Sequence, residues 1–493
     1  MADSLFIQYL EKDIYRKSEI VTMLWENEHL TSKEMALNLQ VTTATIKADV
    51  KSINQEYCDS QEPIILANTV GYYIPNKKKK NKREFLKQMY QDSLFVRACC
   101  FFLKNNIKHV DVFAEKEWIS IAKAYRVRNT VVEYLARLNI SLSDEEIINN
   151  ECRIRFLMAF YQWKVGIDLI EIIPQRQLIF NQLFSEIGEV EKCLFSQSSK
   201  EYASLLLQLS FSREKKTPIF FDEDSVQILK KTKIYQRLSG PIEIFLKKNM
   251  YKQVTEHEVF YFALVFNIMN ANYYDNQRLS ETYDSYAELI KTSPRLYYKQ
   301  LVEKFETKYN ISLVSDSLFE VSLISFLRKC LFNLQILIPE EHLERGHIAR
   351  VPAEFLEEIK EILEDWNMEA RRNLIFSNAH FQYLASKLFF VLNKKTRPKR
   401  LFLLSSFYAD YLLAKEVITH EYGALVKIQQ FNPKMEATEY NSEDLILYDT
   451  DYDILKKIHS KKLQIGFVFD LEELQNIREE LFEYELSKIT NIE

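Results

Sequence analysis

Three sets of residues in this sequence could do chemistry: eight histidines, six cysteines, and helical faces that carry Lys, Arg, Thr and Asn. The cysteines are Cys58, Cys99, Cys100, Cys152, Cys193 and Cys330. None forms a Cys-x-x-Cys pair, so a structural zinc site has no signature. Their scatter reads as buried thiols in a reducing compartment. The histidines are His29, His109, His257, His342, His347, His380, His420 and His459. His342 and His347 flank Gly346 and make a poor metal pair. Acidic pairs such as Glu357-Glu358 read as helix surface. Phosphate loops and dinucleotide folds need closely spaced glycines, and this chain has only 7 in 493 residues. No catalytic group, metal or cofactor is expected.

The polar helical faces are more informative. An amphipathic stretch from Ile14 to Trp25 places Ile14, Val21 and Leu24 inward. A second helix starts after Thr31, an N-cap with Glu34 at the capping-box position, and turns Met35, Ala36 and Leu39 inward. After Gln40-Val41-Thr42 a third helix runs to Tyr57 on Ile46, Val50, Ile53 and Tyr57. Helix, tight turn and capped second helix make a helix-turn-helix pattern. The outward face then holds Thr43, Thr45, Lys47, Lys51 and Asn54. Thr and Asn suit base edges and Lys suits phosphate. Residues 63–74 read as a two-stranded wing turning near Asn68-Thr69, followed by the cationic run Lys77 to Lys80.

A second unit is expected downstream. One long helix is expected from Glu84 to Leu103. It is followed by Glu115 to Tyr125, a turn at Arg126-Val127, and a helix from Arg128 to Asn139. Val131, Leu135 and Leu138 repeat the spacing of Ile46, Val50 and Ile53. The outward residues are Arg126, Arg128, Asn129 and Arg137, with Glu133 among them. Two such units on one duplex favour reading of DNA shape over a sharp base code.

Composition frames these faces. The chain is 47% hydrophobic with a net charge of −5, enough apolar content for real cores. Residues 1–140 hold 21 Lys+Arg against 17 Asp+Glu, and the remainder holds 44 against 53. A basic front on an acidic body hints at a polyanion partner. The N-terminus lacks a signal-peptide pattern, and the longest apolar stretch, near Val259 to Met269, is too short to span a bilayer. A cytoplasmic protein with no membrane partner is expected.

Residues 150–395 read as helix. Glu258 to Asn267 resembles His380 to Phe389 at an offset of 122, through Tyr261/Tyr383 and Ala263/Ala385, a weak internal repeat. The joint between the repeats is placed at Ser280 to Pro294. Beyond Arg397-Pro398 the period changes. Strands are expected at Leu401 to Ser405, Ala424 to Gln430, Asp444 to Tyr448 and Gln464 to Phe469. Helices are expected after the first strand, to Glu421, and from Leu471 to Ile489. That alternation argues a small α/β domain. The expected architecture is mostly α and multidomain. Its parts are a winged helix-turn-helix domain (1–80), a second helix-turn-helix domain (81–160), two helical domains (161–285 and 286–396) and a C-terminal α/β domain (397–493).

This order of parts, with Leu30 to Val50 and then Gly71-Tyr72-Tyr73-Ile74, resembles the Mga/AtxA family of global virulence regulators of Gram-positive bacteria, its pneumococcal branch in particular. The resemblance implies a DNA-binding transcriptional regulator acting as a homodimer or higher homo-oligomer. It implies middle domains similar to phosphotransferase-system regulation domains (PRD-like), with phosphotransferase phosphocarrier proteins as further partners. It also implies an EIIB-like C-terminal domain that helps assembly. The usual domain histidine would fall near Val265 and Lys387, neither of which is His. His257 and His380 lie nearby and are the phosphorylation candidates. The EIIB-type cysteine is replaced by Leu404-Ser405-Ser406-Phe407-Tyr408, so phosphate transfer through cysteine is not expected. The alternatives are a PRD-type RNA-binding antiterminator, whose β-rich RNA module the helical opening contradicts, and a sugar-phosphotransfer component or signalling scaffold.

Overall fold

The computed structural model describes residues 5–57, 63–75, 77, 82–105, 109–141, 147–213, 218–249, 254–339, 351–369, 374–396, 399–423, 426–433, 440–466 and parts of 469–481. These residues form nineteen α-helices and eight short strands. The chain divides into two compact units. One comprises Met1–Gln300, Leu323–Ile348 and Glu364–Tyr383. The other comprises Leu301–Ser322, Ala349–Leu363 and Leu384–Glu493.

The first unit opens with α1 (Lys12–Glu26), α2 (Ser32–Asn38), α3 (Thr43–Glu56), β1 (Leu66–Ala67) and β2 (Tyr72–Tyr73). Of the expected inward residues, Ile14, Val21, Leu24, Met35, Ala36, Ile46, Val50, Ile53 and Tyr57 are buried, whereas Leu39, at the end of α2, is only half-buried. Each large aliphatic in that set contributes about 1.5–3 kcal/mol on burial. Thr31 and Glu34 form the expected reciprocal capping box. The wing is antiparallel, Leu66 facing Tyr73. Asn68 turns it by accepting from the backbone N–H groups of Val70 and Gly71. Tyr72 also exchanges both backbone bonds with Leu30. Gly71, with φ of 153°, leaves no room for a Cβ beside the Leu30 carbonyl, 2.6 Å from where it would sit.

Then come α4 (Lys82–Gln91), α5 (Leu94–Asn105), α6 (Val110–Lys116) and α7 (Ile121–Arg137). The single helix expected from Glu84 to Leu103 is two helices. Ser93 breaks it by accepting the Val96 N–H with its hydroxyl, while Asp92 accepts from the Tyr57 hydroxyl. Lys77 is not a free cation, because its ammonium donates to the Asn27 carbonyl. Lys78 to Lys80 lie outside the described residues.

The helical body of the first unit begins with Ile147–Val165, so the expected boundary at 160/161 falls inside a helix. The expected joint at Ser280 to Pro294, and with it the boundary at 285/286, is likewise crossed by the continuous helix Asn276–Thr292. Helix Glu256–Ile268 is almost entirely buried. One two-stranded ribbon interrupts the helices, β3 (Cys193–Phe195) against β4 (Ala271–Tyr273). Glu151 and Arg155 are fully buried as an ion pair, and Arg213 adds two bonds of 2.8 Å to the same carboxylate.

In the second unit β5 (Lys399–Leu404), β6 (Val426–Gln430), β7 (Leu445–Tyr448) and β8 (Lys461–Gln464) form a parallel sheet in the order β6-β5-β7-β8. Leu401, Leu403, Leu445 and Leu447 face one core, and Phe402 and Ile446 face the other. Both faces are covered, as parallel sheets require. The last strand lies three residues before its expected start at Gln464. Only parts of the expected closing helix, at 473–481, are described. No helix among the described residues is long and apolar enough to cross a membrane.

Candidate nucleic-acid interface

The first helix-turn-helix is held from behind. The Asp49 carboxylate, on the buried side of α3, receives two bonds from Arg16 of α1, one of them 2.9 Å. Lys17 reaches Glu56 at 2.6 Å. These pairs fix the crossing of α1 and α3, leaving the opposite face of α3 to solvent. Thr43, Lys47 and Lys51 are exposed there. Neither lysine has a carboxylate partner among the described residues. Thr45 is half-buried, its hydroxyl 2.9 Å from that of the N-cap Thr42.

Asn54 is a correction. Its amide donates to the Ile65 carbonyl and accepts the Ile65 N–H, both at 2.8 Å. It fastens the wing to α3, which commits the side chain to the fold rather than to a base.

The second unit repeats the first at an offset of 78 residues. Gln40 and Trp118 sit at the same place in the two turns, with φ of 54° and 53°. The Val41 N–H meets the Ala36 carbonyl at 2.9 Å, and the Ile119 N–H meets the Ala114 carbonyl at 3.0 Å. Thr42 caps α3 through the Thr45 N–H, and Ser120 caps α7 through the Lys123 N–H. Met35 and Phe113, Ile46 and Ala124, and Ile53 and Val131 are the buried pairs.

The expected turn at Arg126-Val127 is therefore misplaced; the turn is Glu117 to Ser120, and Arg126, Arg128 and Asn129 lie within the first half of α7. Arg126 and Asn129 are exposed, and Arg128 is half-buried with a 3.3 Å bond to the Asn129 side chain. Arg137, at the far end of α7, donates to Gln8 and to the Tyr9 hydroxyl, at 3.3 and 3.0 Å. Glu133 accepts from the same hydroxyl. Arg137 is exposed, but its guanidinium is engaged with the N-terminal segment. Lys123, Tyr125 and Trp118, overlooked in the sequence, are on the free face; Trp118 is 94% exposed. The capping serine at 120, with Lys123 three residues on, was the signal for this register.

The candidate histidines are placed differently. His380 is buried, with Nδ1 accepting from the Ser377 N–H at 3.1 Å and Nε2 at 3.2 Å from the Gln335 carbonyl. At the offset of 122 it matches Glu258, which closes a capping box on Thr255. His380 does that carboxylate's work at the start of helix Asn378–Thr396, and both ring nitrogens are occupied. His257 packs on Phe220 at 4.5 Å between centroids, its Nδ1 buried without a partner. Val265, where the regulation-domain histidine would fall, is fully buried.

Ser406, in the loop after β5, donates its N–H at 2.5 Å to the carboxylate of Asp449, just after β7, which also accepts from the Tyr452 hydroxyl at 2.9 Å. Burial raises the carboxylate's pKa, but these bonds outweigh that and hold it below the usual carboxylate range. A carboxylate of the chain's own thus occupies the Ser406 N–H and the Ser405 hydroxyl in this loop.

Residues 78–162 match the Mga helix-turn-helix domain, a span that contains α4 to α7. That segment of the chain is therefore similar to the helix-turn-helix domain of Mga regulators. It is similar over 460 residues to the capsule synthesis positive regulator AcpB of Bacillus anthracis, at 19% identity, covering 89% of this chain and 92% of that protein. The match to the Mga helix-turn-helix domain and the similarity to a transcription regulator make this a DNA-binding transcription regulator.

Proposed function

We propose that this chain belongs to the Mga family and binds duplex DNA through both helix-turn-helix units, reading shape and AT-rich deformability more than a base code. It would act as a cytoplasmic global regulator linked to virulence or sugar use, activating as its relative's name states for that protein. The observation that carries this is the set of exposed cations Lys47, Lys51, Lys123 and Arg126. None has a carboxylate partner among the described residues, although many other cations on this chain do. Unpaired cations along two recognition helices suit phosphates flanking a groove. Thr43 and Asn129 stand beside them for base edges.

Two chains would double these contacts, so a homodimer or higher homo-oligomer is part of this reading. Phosphotransferase phosphocarriers would be the further partners. With both nitrogens of His380 engaged, His257 is the histidine we assign to any such phosphorylation.

The test is fluorescence anisotropy of the full chain on AT-rich and mixed duplexes across salt concentrations. Each phosphate contact contributes about −0.9 to the slope of log K against log salt. Replacing Lys47 and Lys51 together by Ala should flatten the slope by about 2, and so should Lys123→Ala with Arg126→Ala. Unchanged slopes in both double variants would defeat the reading. Light scattering on the same samples reports the oligomeric state.

A further inference from the structure

A cavity of about 230 Å³ lies within the first unit. Arg328, Gln335, His380 and the rings of Tyr273, Tyr286 and Tyr383 contribute to its wall. Its described lining includes two cations, Arg328 and Lys329, and no carboxylate.

Arg328 is built into this wall. One terminal nitrogen donates to the carbonyls of Asn267 and Met269, at 2.8 and 3.2 Å. The guanidinium lies 5.1 Å from the centroid of the Tyr286 ring. Those contacts fix its plane and leave its charge uncompensated, since no carboxylate among the described residues pairs with it. An arginine elsewhere in this unit, Arg237, sits against Glu191 at 2.6 Å, and Arg213 sits against Glu151. A half-buried arginine without a counter-ion costs desolvation that a bound anion would offset.

Gln335 supplies a second, independent observation. The residue is 1% exposed, and its amide nitrogen is spent on Asn333 and on the Ile375 carbonyl. Its side-chain oxygen has no hydrogen-bond partner. Buried acceptors are almost always satisfied, and an exception calls for a ligand or water. Its backbone carbonyl is held by His380, which fixes this short segment against the helix Asn378–Thr396.

We propose that this cavity binds a small organic anion that also carries a hydroxyl or amino donor. The anionic head would pair with the free edge of Arg328, the donor would satisfy Gln335, and the tyrosine rings would cover the carbon skeleton. The volume is below that of a usual drug-sized pocket, so the ligand is a metabolite of few carbons. Its head is a phosphate or a carboxylate; both fit the chemistry, and the test separates them.

The full chain is titrated by calorimetry with glucose 6-phosphate, glycerol 3-phosphate, inorganic phosphate, citrate and glutamate, with glucose as the neutral control. DNA is absent, so the result does not depend on the regulator reading. The expected result is saturable 1:1 binding of a phosphate-headed or a carboxylate-headed probe, with none for glucose. Arg328→Gln should weaken that binding by about tenfold or more, the loss of a charged hydrogen bond. Arg328 also ties two carbonyls, so its variant is checked by thermal unfolding. If it does not fold, Leu279→Trp decides: this half-exposed lining residue makes none of the polar contacts, and the larger side chain should block binding while the unfolding midpoint holds. Absence of binding by every probe at millimolar concentration overturns the proposal. So does unchanged affinity in a folded Arg328→Gln chain or in the Leu279→Trp chain.

Discussion

Gln40 and Trp118 are equivalent residues 78 positions apart, each holding the left-handed backbone of a helix-turn-helix turn. The strain of that conformation favours glycine. Gln40→Gly and Trp118→Gly should each leave stability unchanged or raise it by up to about 1 kcal/mol. Gln40→Val should destabilise, because a β-branched side chain tolerates this backbone poorly. Urea unfolding of the three variants checks it; a Gly variant that loses stability as Val does would refute the strain argument.

Asn54 ties both backbone groups of Ile65 to α3. Asn54→Ala strands a buried N–H and a carbonyl, and should cost about 1–3 kcal/mol. Its effect on DNA binding should come through the wing, so the salt slope should stay near that of the parent chain. A slope as flat as that of the Lys47/Lys51 double variant would return Asn54 to the contact face.

Glu151 is fully buried between Arg155 and Arg213. Glu151→Gln leaves two guanidinium groups without their counter-charge and should cost about 3–5 kcal/mol. Chemical denaturation would show it as a lower midpoint. A loss under about 1 kcal/mol would mean that the arginines find other partners.

Glu56 has its pKa lowered chiefly by the hydrogen bond from Lys17, aided by Ser52. A folded-state carboxyl depressed in this way adds stability above the ordinary carboxylate range. That stability disappears as pH falls through the depressed value. The carboxylate is half-exposed, so solvent screening limits the effect to under about 1 kcal/mol. Glu56→Gln should be less stable than the parent at neutral pH, with the gap closing in acid. A gap constant down to acid pH would exclude the ion pair as its source.

Burial pushes the thiols of Cys100 and Cys152 up to about 12, and that of Cys99 well above its ordinary value. Thiols react as thiolates, so these are inert in the folded chain. A Cys58→Ser chain should label with a disulfide reagent at neutral pH only as fast as it unfolds. Rapid labelling of any remaining cysteine would contradict this.

The sequence by itself determined the features whose causes lie within one or two helical turns. Thr31 and Glu34 announce a helix start because their reciprocal bonds span three residues. Ile46, Val50 and Ile53 announce a buried face, and Leu401 to Leu404 a buried strand, because periodicity is local. The register of the second unit escaped for the same reason. The spacing match of Ile46 with Val131 is seven residues from the true partner, Ala124. Seven residues fall only about 20° short of two helical turns, so either register buries the same face.

What only the tertiary structure decided are the partners. Asn54 meets Ile65, Arg137 meets Tyr9, and His380 meets Ser377 and Gln335. A polar residue on an outward or cap position is the same in sequence whether it awaits a ligand or is already spent. Most of these bonds join residues far apart in the chain, and folding alone chose which donors and acceptors remain free. The uncompensated Arg328 and the unsatisfied Gln335 belong to the same class, since an absent partner is visible only once every neighbour is in place.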